Sequence, residues 1–297
     1  MERRTFGKTD MKVSALGFGG AEIGFEKADA ASVRELLSIA LDSGLNVIDT
    51  AECYEGSEEL IGNAVGSRRD QFFLFTKCGH GANFTDAWAA DQINKSIDRS
   101  LKRLKTDCVD LIQLHSCSEQ ILRKGEAIEA LQRAQKAGKT RYIGYSGDGT
   151  DALCAIKTGV FDALQTSVSI ADQQCLELTI PLAIEAGMGI IAKRPIANAA
   201  WRTKTKPDNS YIQPYWERLQ ELKYEFINGN PEEPATKALR FTLSVPGVCV
   251  AIVGTTKASR WKQNAEIAAK GSLESKDFDA IRARWKETAK ADWIGQI

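Results

Sequence analysis

Four polar side chains stand at or near the ends of apolar stretches that could form buried strands. Asp49, Lys77 and His115 each close such a stretch, and Tyr54 follows Asp49 by five residues. A charged group directly after several apolar residues is costly unless it is paired, so Asp49 and Lys77 are predicted to form an ion pair. An ammonium near a phenol stabilises the phenolate and lowers its pKa from about 10. The four residues therefore suggest acid–base chemistry with Tyr54 as the proton donor.

This set of groups is suited to the reduction of a carbonyl. In this interpretation Lys77 assists Tyr54, Asp49 keeps Lys77 protonated, and His115 orients the carbonyl oxygen through a hydrogen bond. Because no side chain supplies a hydride, the chemistry implies a nicotinamide cofactor. Each residue alone could be structural, so the hypothesis depends on their shared position at consecutive strand ends.

The elements that would position these residues alternate regularly along the chain. Each predicted strand is followed by a helix, and the strands are placed at 13–18, 46–50, 72–77, 109–115, 141–146, 161–166, 189–193 and 248–253. Near-continuous apolar runs are typical of parallel strands that are buried on both faces. Eight such units predict an α/β fold, a (β/α)8 TIM barrel, with a short N-terminal hairpin and an extra C-terminal helix. The strand ends of a barrel meet at one mouth, which would bring the four residues together.

A doubly wound dinucleotide-binding sheet is the rival fold. Its fingerprint, G-x-G-x-x-G after the first strand, fails here because Glu22 stands at the position of the last glycine.

Composition excludes several other classes of protein. The 297 residues carry 39 basic and 39 acidic side chains, and 43% are hydrophobic, which argues against disorder and against a nucleic-acid or anionic-membrane partner. The first residues lack the apolar core of a signal peptide, and no apolar run is long enough to span a membrane. Seven cysteines without a C-x-x-C pair indicate a reducing, cytoplasmic environment and predict no metal site. We expect one domain over residues 1–297.

Taken together, these segments resemble the aldo-keto reductases. The matching stretches include NVIDTAECY at 46–54, GSEELIG at 56–62, FTK at 75–77, VDLIQLH at 109–115 and IGYS at 143–146. The resemblance covers essentially the whole chain and implies a (β/α)8 barrel that binds NADPH without a Rossmann fold. It also implies that Asp49, Tyr54, Lys77 and His115 form the catalytic tetrad of the family.

The resemblance further suggests where the cofactor binds. Ser146 and Gln165 match residues that hydrogen-bond the nicotinamide carboxamide, and the segment 254–264 is similar to the one that holds the adenosine phosphate. In that segment a glycine turn opens a helix whose N–H groups face an anion, and Arg260 could clamp a 2′-phosphate. We expect NADPH and leave NADH open. The predicted cofactor contacts are Gly20, Ser146, Gly147, Gln165, Lys193, Arg194, Gly254, Thr255, Thr256, Lys257, Arg260, Gln263 and Asn264.

Three positions depart from the family pattern. Gly147 replaces an asparagine, which weakens the expected grip on the carboxamide. Lys193, followed by Arg194, stands where an aromatic ring usually stacks on the nicotinamide. Gly254 replaces a lysine of the phosphate segment, and Lys257 is expected to take over its role.

The substrate side of the mouth is less specified. Long segments at 78–88 and 196–231 carry aromatic residues and would line the mouth, although packing beneath a long loop explains such residues equally well. We predict that a small carbonyl or alcohol substrate contacts Trp88, Tyr211 and Trp293, in a monomer or weak homo-oligomer.

Two other functions compete with carbonyl reduction. Lysines close two strands, Lys77 and Lys193, so the chain could be a lyase that forms a Schiff base. It could also be a sensor that binds nicotinamide nucleotides without catalysis, which an intact tetrad disfavours.

Overall fold

The computed structural model describes residues 1–80 and 88–296, and within them a closed parallel barrel forms the centre of the fold. A two-stranded antiparallel hairpin precedes it, made of β1 (Arg3–Thr5) and β2 (Lys12–Ser14). The barrel closes in the order β10-β3-β4-β5-β6-β7-β8-β9, so each strand lies beside its neighbour in sequence. The barrel strands are β3 (Leu16–Gly19), β4 (Val47–Asp49), β5 (Phe73–Cys78), β6 (Val109–His115), β7 (Thr140–Ser146), β8 (Ala163–Ser167), β9 (Gly189–Lys193) and β10 (Val248–Gly254).

Helices connect the strands and cover the outside of the barrel. The α-helices of the described chain are α1 (Ala21–Phe25), α2 (Ala30–Asp42), α3 (Ser57–Val65), α4 (Ala90–Leu104), α5 (Glu119–Lys124), α6 (Glu126–Lys136), α7 (Gly149–Lys157), α8 (Cys175–Leu178), α9 (Ile180–Glu185), α10 (Gln213–Leu222), α11 (Glu233–Ser244), α12 (Ala258–Ala269) and α13 (Ser275–Thr288). Short 3₁₀ helices lie at Gly66–Gln71, Ala197–Arg202 and Glu225–Ile227. Each helix of the described residues is too short or too polar to cross a bilayer.

The predicted (β/α)8 barrel is confirmed, with a correction at its first strand. The predicted strand 13–18 is two strands, because Ser14 still pairs with Arg3 in the hairpin whereas Leu16 already pairs with Ala251 in the barrel. The hairpin packs apolar side chains into the barrel, since Phe6, Met11 and Val13 are fully buried in one cluster with Phe75 and other inward-facing residues. The hairpin therefore closes one end of the barrel and leaves the strand ends at the other.

The sequence also predicts single helices at 119–137 and 176–186, and both are interrupted in the structure. The predicted helix 119–137 divides into α5 and α6 at Gly125, whose φ of 82° is left-handed and ends the first helix. The predicted helix 176–186 divides into α8 and α9 at Thr179, directly before a helix start that carries proline in its first turn. Neither break moves a strand end.

Candidate active site

The ends of β4, β5 and β6 lie side by side at the mouth of the barrel. In the parallel registers, Asp49 pairs with Phe75, Lys77 with Gln113, and His115 with Ser146. Strand residues two apart point to the same face, so Gln113 and His115 share the inward face of β6. The structure therefore brings together the three predicted strand-end residues.

Asp49 and Lys77 form a buried ion pair. Lys77 Nζ lies 2.5 Å from Asp49 Oδ1 and donates a second hydrogen bond of 2.8 Å to the Thr50 carbonyl. Both side chains are 1% exposed. Burial raises the pKa of Asp49, and the Lys77 charge together with amide donors from Gln165 and Gln113 opposes that rise. The pair is thus held in place by several groups, as a buried charge requires.

Tyr54 lies over this pair. Its ring centroid is 5.2 Å from Lys77 Nζ and 5.8 Å from the His115 ring, and Phe25 packs edge-on against it at 5.4 Å. The structure contradicts one expectation: burial and the nearby Asp49 charge raise the pKa of Tyr54 well above its usual range, whereas Lys77 was predicted to lower it. The phenol therefore keeps its proton at neutral pH.

His115 is neutral and lies beside a buried thiol. Burial and the charges of Lys77, His80 and other cations hold the pKa of His115 well below its usual value. Cys53 Sγ lies 3.4 Å from His115 Nδ1, and burial raises the pKa of Cys53 to about 11, so the thiol keeps its proton. In the tautomer whose proton is on Nε2, Nδ1 accepts a hydrogen bond from this thiol.

His80, the only other histidine of the chain, lies beside His115. The two rings are 4.8 Å apart, and His80 Nε2 donates to the His115 carbonyl at 2.5 Å. Trp88 packs against Gly79 and lies 6.0 Å from the His80 ring, which places this predicted substrate contact near the site. The predicted segment 78–88 is described only at its two ends, and residues 81–87 lie outside the described chain.

Sequence reasoning missed Cys53, Gln113 and Asp148 at this site. Cys53 is adjacent to Tyr54, and Gln113 precedes His115 by two residues on the same face, so strand parity could have identified Gln113. Asp148 follows the predicted Ser146-Gly147 pair and accepts from Lys193 Nζ at 2.8 Å.

The predicted carboxamide contacts lie next to the ion pair. Gln165 Nε2 is 3.4 Å from Asp49 Oδ1, and Gly20 lies beside Asp49, whose carbonyl accepts from the Gly20 amide at 2.7 Å. Ser146 is buried at the end of β7. Packing explains the glycine at position 147, because a Cβ there would lie 2.6 Å from the Tyr145 ring.

Lys193 and Arg194, two of the predicted cofactor contacts, both have partners within the protein. Burial lowers the pKa of Lys193 to about 8 against the opposing pull of Asp148. Arg194 Nη1 donates to the Ser167 hydroxyl and to the carbonyl of Gln296, and its guanidinium lies 4.7 Å from the Tyr211 ring centroid. The C-terminal tail therefore reaches the mouth and engages residues that were assigned to the cofactor.

Trp293, a predicted substrate contact, is a buried side chain near the C-terminal end of the chain. Its side chain is 7% exposed, and its ring packs 5.4 Å from Trp285 of α13. Arg218 lies 5.6 Å from the same ring and donates to the carbonyl of Ile294. Trp293 thus anchors the tail, whereas the predicted contact Tyr211 is exposed beside Arg194.

The predicted phosphate segment runs from the end of β10 into α12. Thr255 Oγ1 accepts from the Lys257 amide at 3.1 Å, which orders the turn before the helix. Lys257, Arg260 and Gln263 are exposed, whereas Asn264 is 2% exposed. Thr256 Oγ1 donates to Glu26 Oε2 at 2.9 Å, so a carboxylate of the first β/α connection lies at this turn.

Comparison with known proteins identifies the family. The chain is 28% identical to an uncharacterized oxidoreductase of Bacillus subtilis, over 97% of each chain, and 29% identical to an L-galactose dehydrogenase of Arabidopsis thaliana, over 94% of this chain and 91% of that one. A solved aldo-keto reductase from Bacillus halodurans, in holo form, superposes with a TM-score of 0.84 at 26% identity, covering 98% of this chain and 99% of that one. The sequence model described as the Aldo/keto reductase family matches residues 15–286. The chain, with its parallel barrel and its strand-end Asp, Lys and His, belongs to the aldo/keto reductase family.

Proposed function

We propose that the chain is a nicotinamide-dependent oxidoreductase that reduces aldehydes or ketones to alcohols at the Tyr54 site. The observation that carries this proposal is the convergence of the Asp49–Lys77 pair, the Tyr54 phenol and the His115 imidazole at one barrel mouth. These groups come from segments that are separated in sequence, and the barrel fold brings them together.

The protonation states suit proton donation to a carbonyl oxygen. The raised pKa of Tyr54 keeps its hydroxyl protonated, and the hydroxyl accepts or donates no hydrogen bond within the described residues. Neutral His115, in the tautomer that carries its proton on Nε2, is a second donor that can orient the same oxygen. When the proton leaves Tyr54, the Lys77 ammonium near its ring stabilises the phenolate.

The chain also has unsatisfied groups where a nicotinamide dinucleotide would bind. Gln165 Oε1 and Asn264 Nδ2 are buried and have no hydrogen-bond partner among the described residues. The family resemblance assigns Gln165 to the carboxamide and places Asn264 in the segment that holds the adenosine phosphate, and buried polar atoms require partners. When bound, the nicotinamide supplies the hydride. Lys257 and Arg260, both exposed at the start of α12, support NADPH as the cofactor.

The alternative functions have weaker support. A Schiff base requires a neutral amine, whereas Lys77 donates to Asp49 and to a carbonyl in a buried pair. Lys193, with a pKa near 8, is held by Asp148 at 2.8 Å. A sensor without catalysis does not require the buried ion pair beside the phenol. A cytoplasmic location, a monomer or weak homo-oligomer, and one domain over 1–297 stay predictions.

A nucleotide titration followed by a carbonyl panel tests the proposed function. Tryptophan fluorescence is titrated with NADPH and NADH, and loss of cofactor absorbance at 340 nm is followed with aromatic aldehydes, aliphatic ketones and aldoses. Because one relative is named an L-galactose dehydrogenase, the panel also includes L-galactose with the oxidised cofactors. Binding together with turnover supports the reductase, binding without turnover supports a sensor, and covalent trapping by borohydride supports a lyase.

A further inference from the structure

Two glutamates of the first β/α connection lie against the predicted adenosine-phosphate segment. Glu26 Oε2 accepts a hydrogen bond of 2.9 Å from Thr256 Oγ1. Glu22 packs against Gly254, where a Cβ would lie only 1.5 Å from Glu22 Oε2. A side chain at position 254, where the family pattern has lysine, would therefore displace the Glu22 carboxylate from this place, whereas glycine leaves room for it.

Within the described residues neither Glu22 nor Glu26 forms an ion pair, and the exposed Lys257 and Arg260 form none either. Burial raises the pKa of Glu22, and the Glu26 charge adds to that rise, whereas Glu26 is exposed. The segment thus has acidic and basic neighbours. The acidic side is Glu22 and Glu26 of the first β/α connection, and the basic side is Lys257 and Arg260 at the start of α12.

The two sides favour different nucleotides. Lysine and arginine attract a 2′-phosphate. A carboxylate repels the phosphate but accepts hydrogen bonds from a ribose 2′-hydroxyl, which is how acidic residues favour NAD over NADP in other dinucleotide sites. Hydrogen bonding to Thr256 holds the Glu26 carboxylate at the turn between the expected phosphate contacts Thr255 and Lys257.

A separate observation indicates that a ligand belongs here. Asn264, on α12 of the same segment, is 2% exposed, and its Nδ2 has no hydrogen-bond partner in the described chain. An unsatisfied buried amide costs free energy unless a bound group or water completes it.

We propose that Glu26, together with Glu22, determines the nucleotide specificity: the Glu26 carboxylate weakens binding of a 2′-phosphate, so that the enzyme uses NADH as well as NADPH. The inference rests on the proposed function, because it concerns the cofactor of that site. It assigns a role to the first β/α connection of this chain.

Nucleotide affinities of charge-neutral variants test the proposal. Dissociation constants for NADPH and NADH are measured by tryptophan fluorescence for the wild type, Glu26→Gln and Glu22→Gln. The matched control is Glu185→Gln, which removes the same charge from the exposed surface of α9. The fragments 2′,5′-ADP and 5′-ADP are titrated in parallel, since they differ only in the 2′-phosphate.

We expect Glu26→Gln to tighten NADPH and 2′,5′-ADP about tenfold, equivalent to about 1.4 kcal/mol. Glu26→Gln should bind NADH and 5′-ADP as tightly as the wild type does, or more weakly. High salt should reduce the difference in NADPH affinity between Glu26→Gln and the wild type. Glu22→Gln should act in the same direction with a smaller effect. If the ratio of the NADPH and NADH dissociation constants is the same in Glu26→Gln as in Glu185→Gln, this inference is overturned and the proposed function is not. Failure of the wild type to bind either dinucleotide would overturn the proposed function and this inference with it.

Discussion

Replacing Lys77 with methionine removes one half of the buried ion pair. The remaining Asp49 is 1% exposed and loses its cation partner at 2.5 Å. The Lys77 charge is also the strongest of the effects that oppose the rise in the pKa of Asp49 caused by burial. Removing one partner of such a pair typically costs about 3–5 kcal/mol, because an uncompensated charge stays buried. The weak amide contacts from Gln113 and Gln165, at 3.3 and 3.4 Å, offset little of that cost.

This loss should depend on pH with a defined sign. Burial raises the pKa of Asp49 above its unfolded value of about 3.9 even in the wild type, and loss of the opposing Lys77 charge raises it further, so the folded variant binds the proton more tightly than the wild type does. Where the native state binds more protons than the unfolded state, stability falls as pH rises. The deficit of Lys77→Met should therefore be larger at pH 8 than at pH 5.

Equilibrium urea unfolding, followed by fluorescence and circular dichroism at both pH values, measures this deficit. The matched control is Lys95→Met, whose lysine forms an exposed pair with Asp91 at 3.2 Å and should change stability little. A double variant, Lys77→Met with Asp49→Leu, should recover part of the loss. A deficit below about 1 kcal/mol at pH 8, or one that does not shrink at pH 5, would refute the reasoning about an uncompensated charge.

Two further predictions concern groups around the mouth. Burial and the Asp148 charge raise the pKa of Asp172 to about 7, so the stability of the wild type should fall as pH rises from about 4 to 7. The variant Asp172→Asn should lack that fall. An equal change in urea stability between pH 5 and 7.5 in the wild type and in the variant would contradict this prediction. Gly147→Ala should cost about 1–3 kcal/mol, because the new Cβ would lie 2.6 Å from the Tyr145 ring. Gly66→Ala, where nothing lies within 4 Å of the new atom, is its control and should be neutral or slightly stabilising in thermal melts.

The barrel and its strand-end residues could be predicted because their signals are local. Each strand is a short apolar run, and Asp49 and His115 are the last residues of β4 and β6. Closure of eight parallel strands then forces these ends to one mouth. The split of the first strand was not predicted, because Ser14 and Leu16 look like one apolar run until their partners, Arg3 and Ala251, are known.

The parts of the site that depend on distant contacts could not be predicted. Glu26 and Thr256 are 230 residues apart, and nothing in either segment signals the other. The carbonyl of Gln296 accepts a hydrogen bond from Arg194 because the C-terminal tail returns to the mouth of the barrel. The hydrophobic periodicity of the sequence does not indicate where that tail runs. The pKa of Tyr54 was predicted in the wrong direction because spacing suggests the Lys77 charge but not the depth of burial, which dominates.

We propose that Tyr54 supplies the proton, and the variant Tyr54→Phe tests this role most directly. The hydroxyl has no hydrogen-bond partner in the described residues, so its removal should leave the fold and nucleotide binding unchanged. Carbonyl reduction, followed by nucleotide absorbance, should fall by about 10²–10⁴-fold, the usual contribution of a positioned acid. Tyr142→Phe, whose hydroxyl donates to Asp10 of the hairpin turn, is the matched control and should retain activity. Undiminished turnover by Tyr54→Phe, with nucleotide affinity intact, would contradict the account.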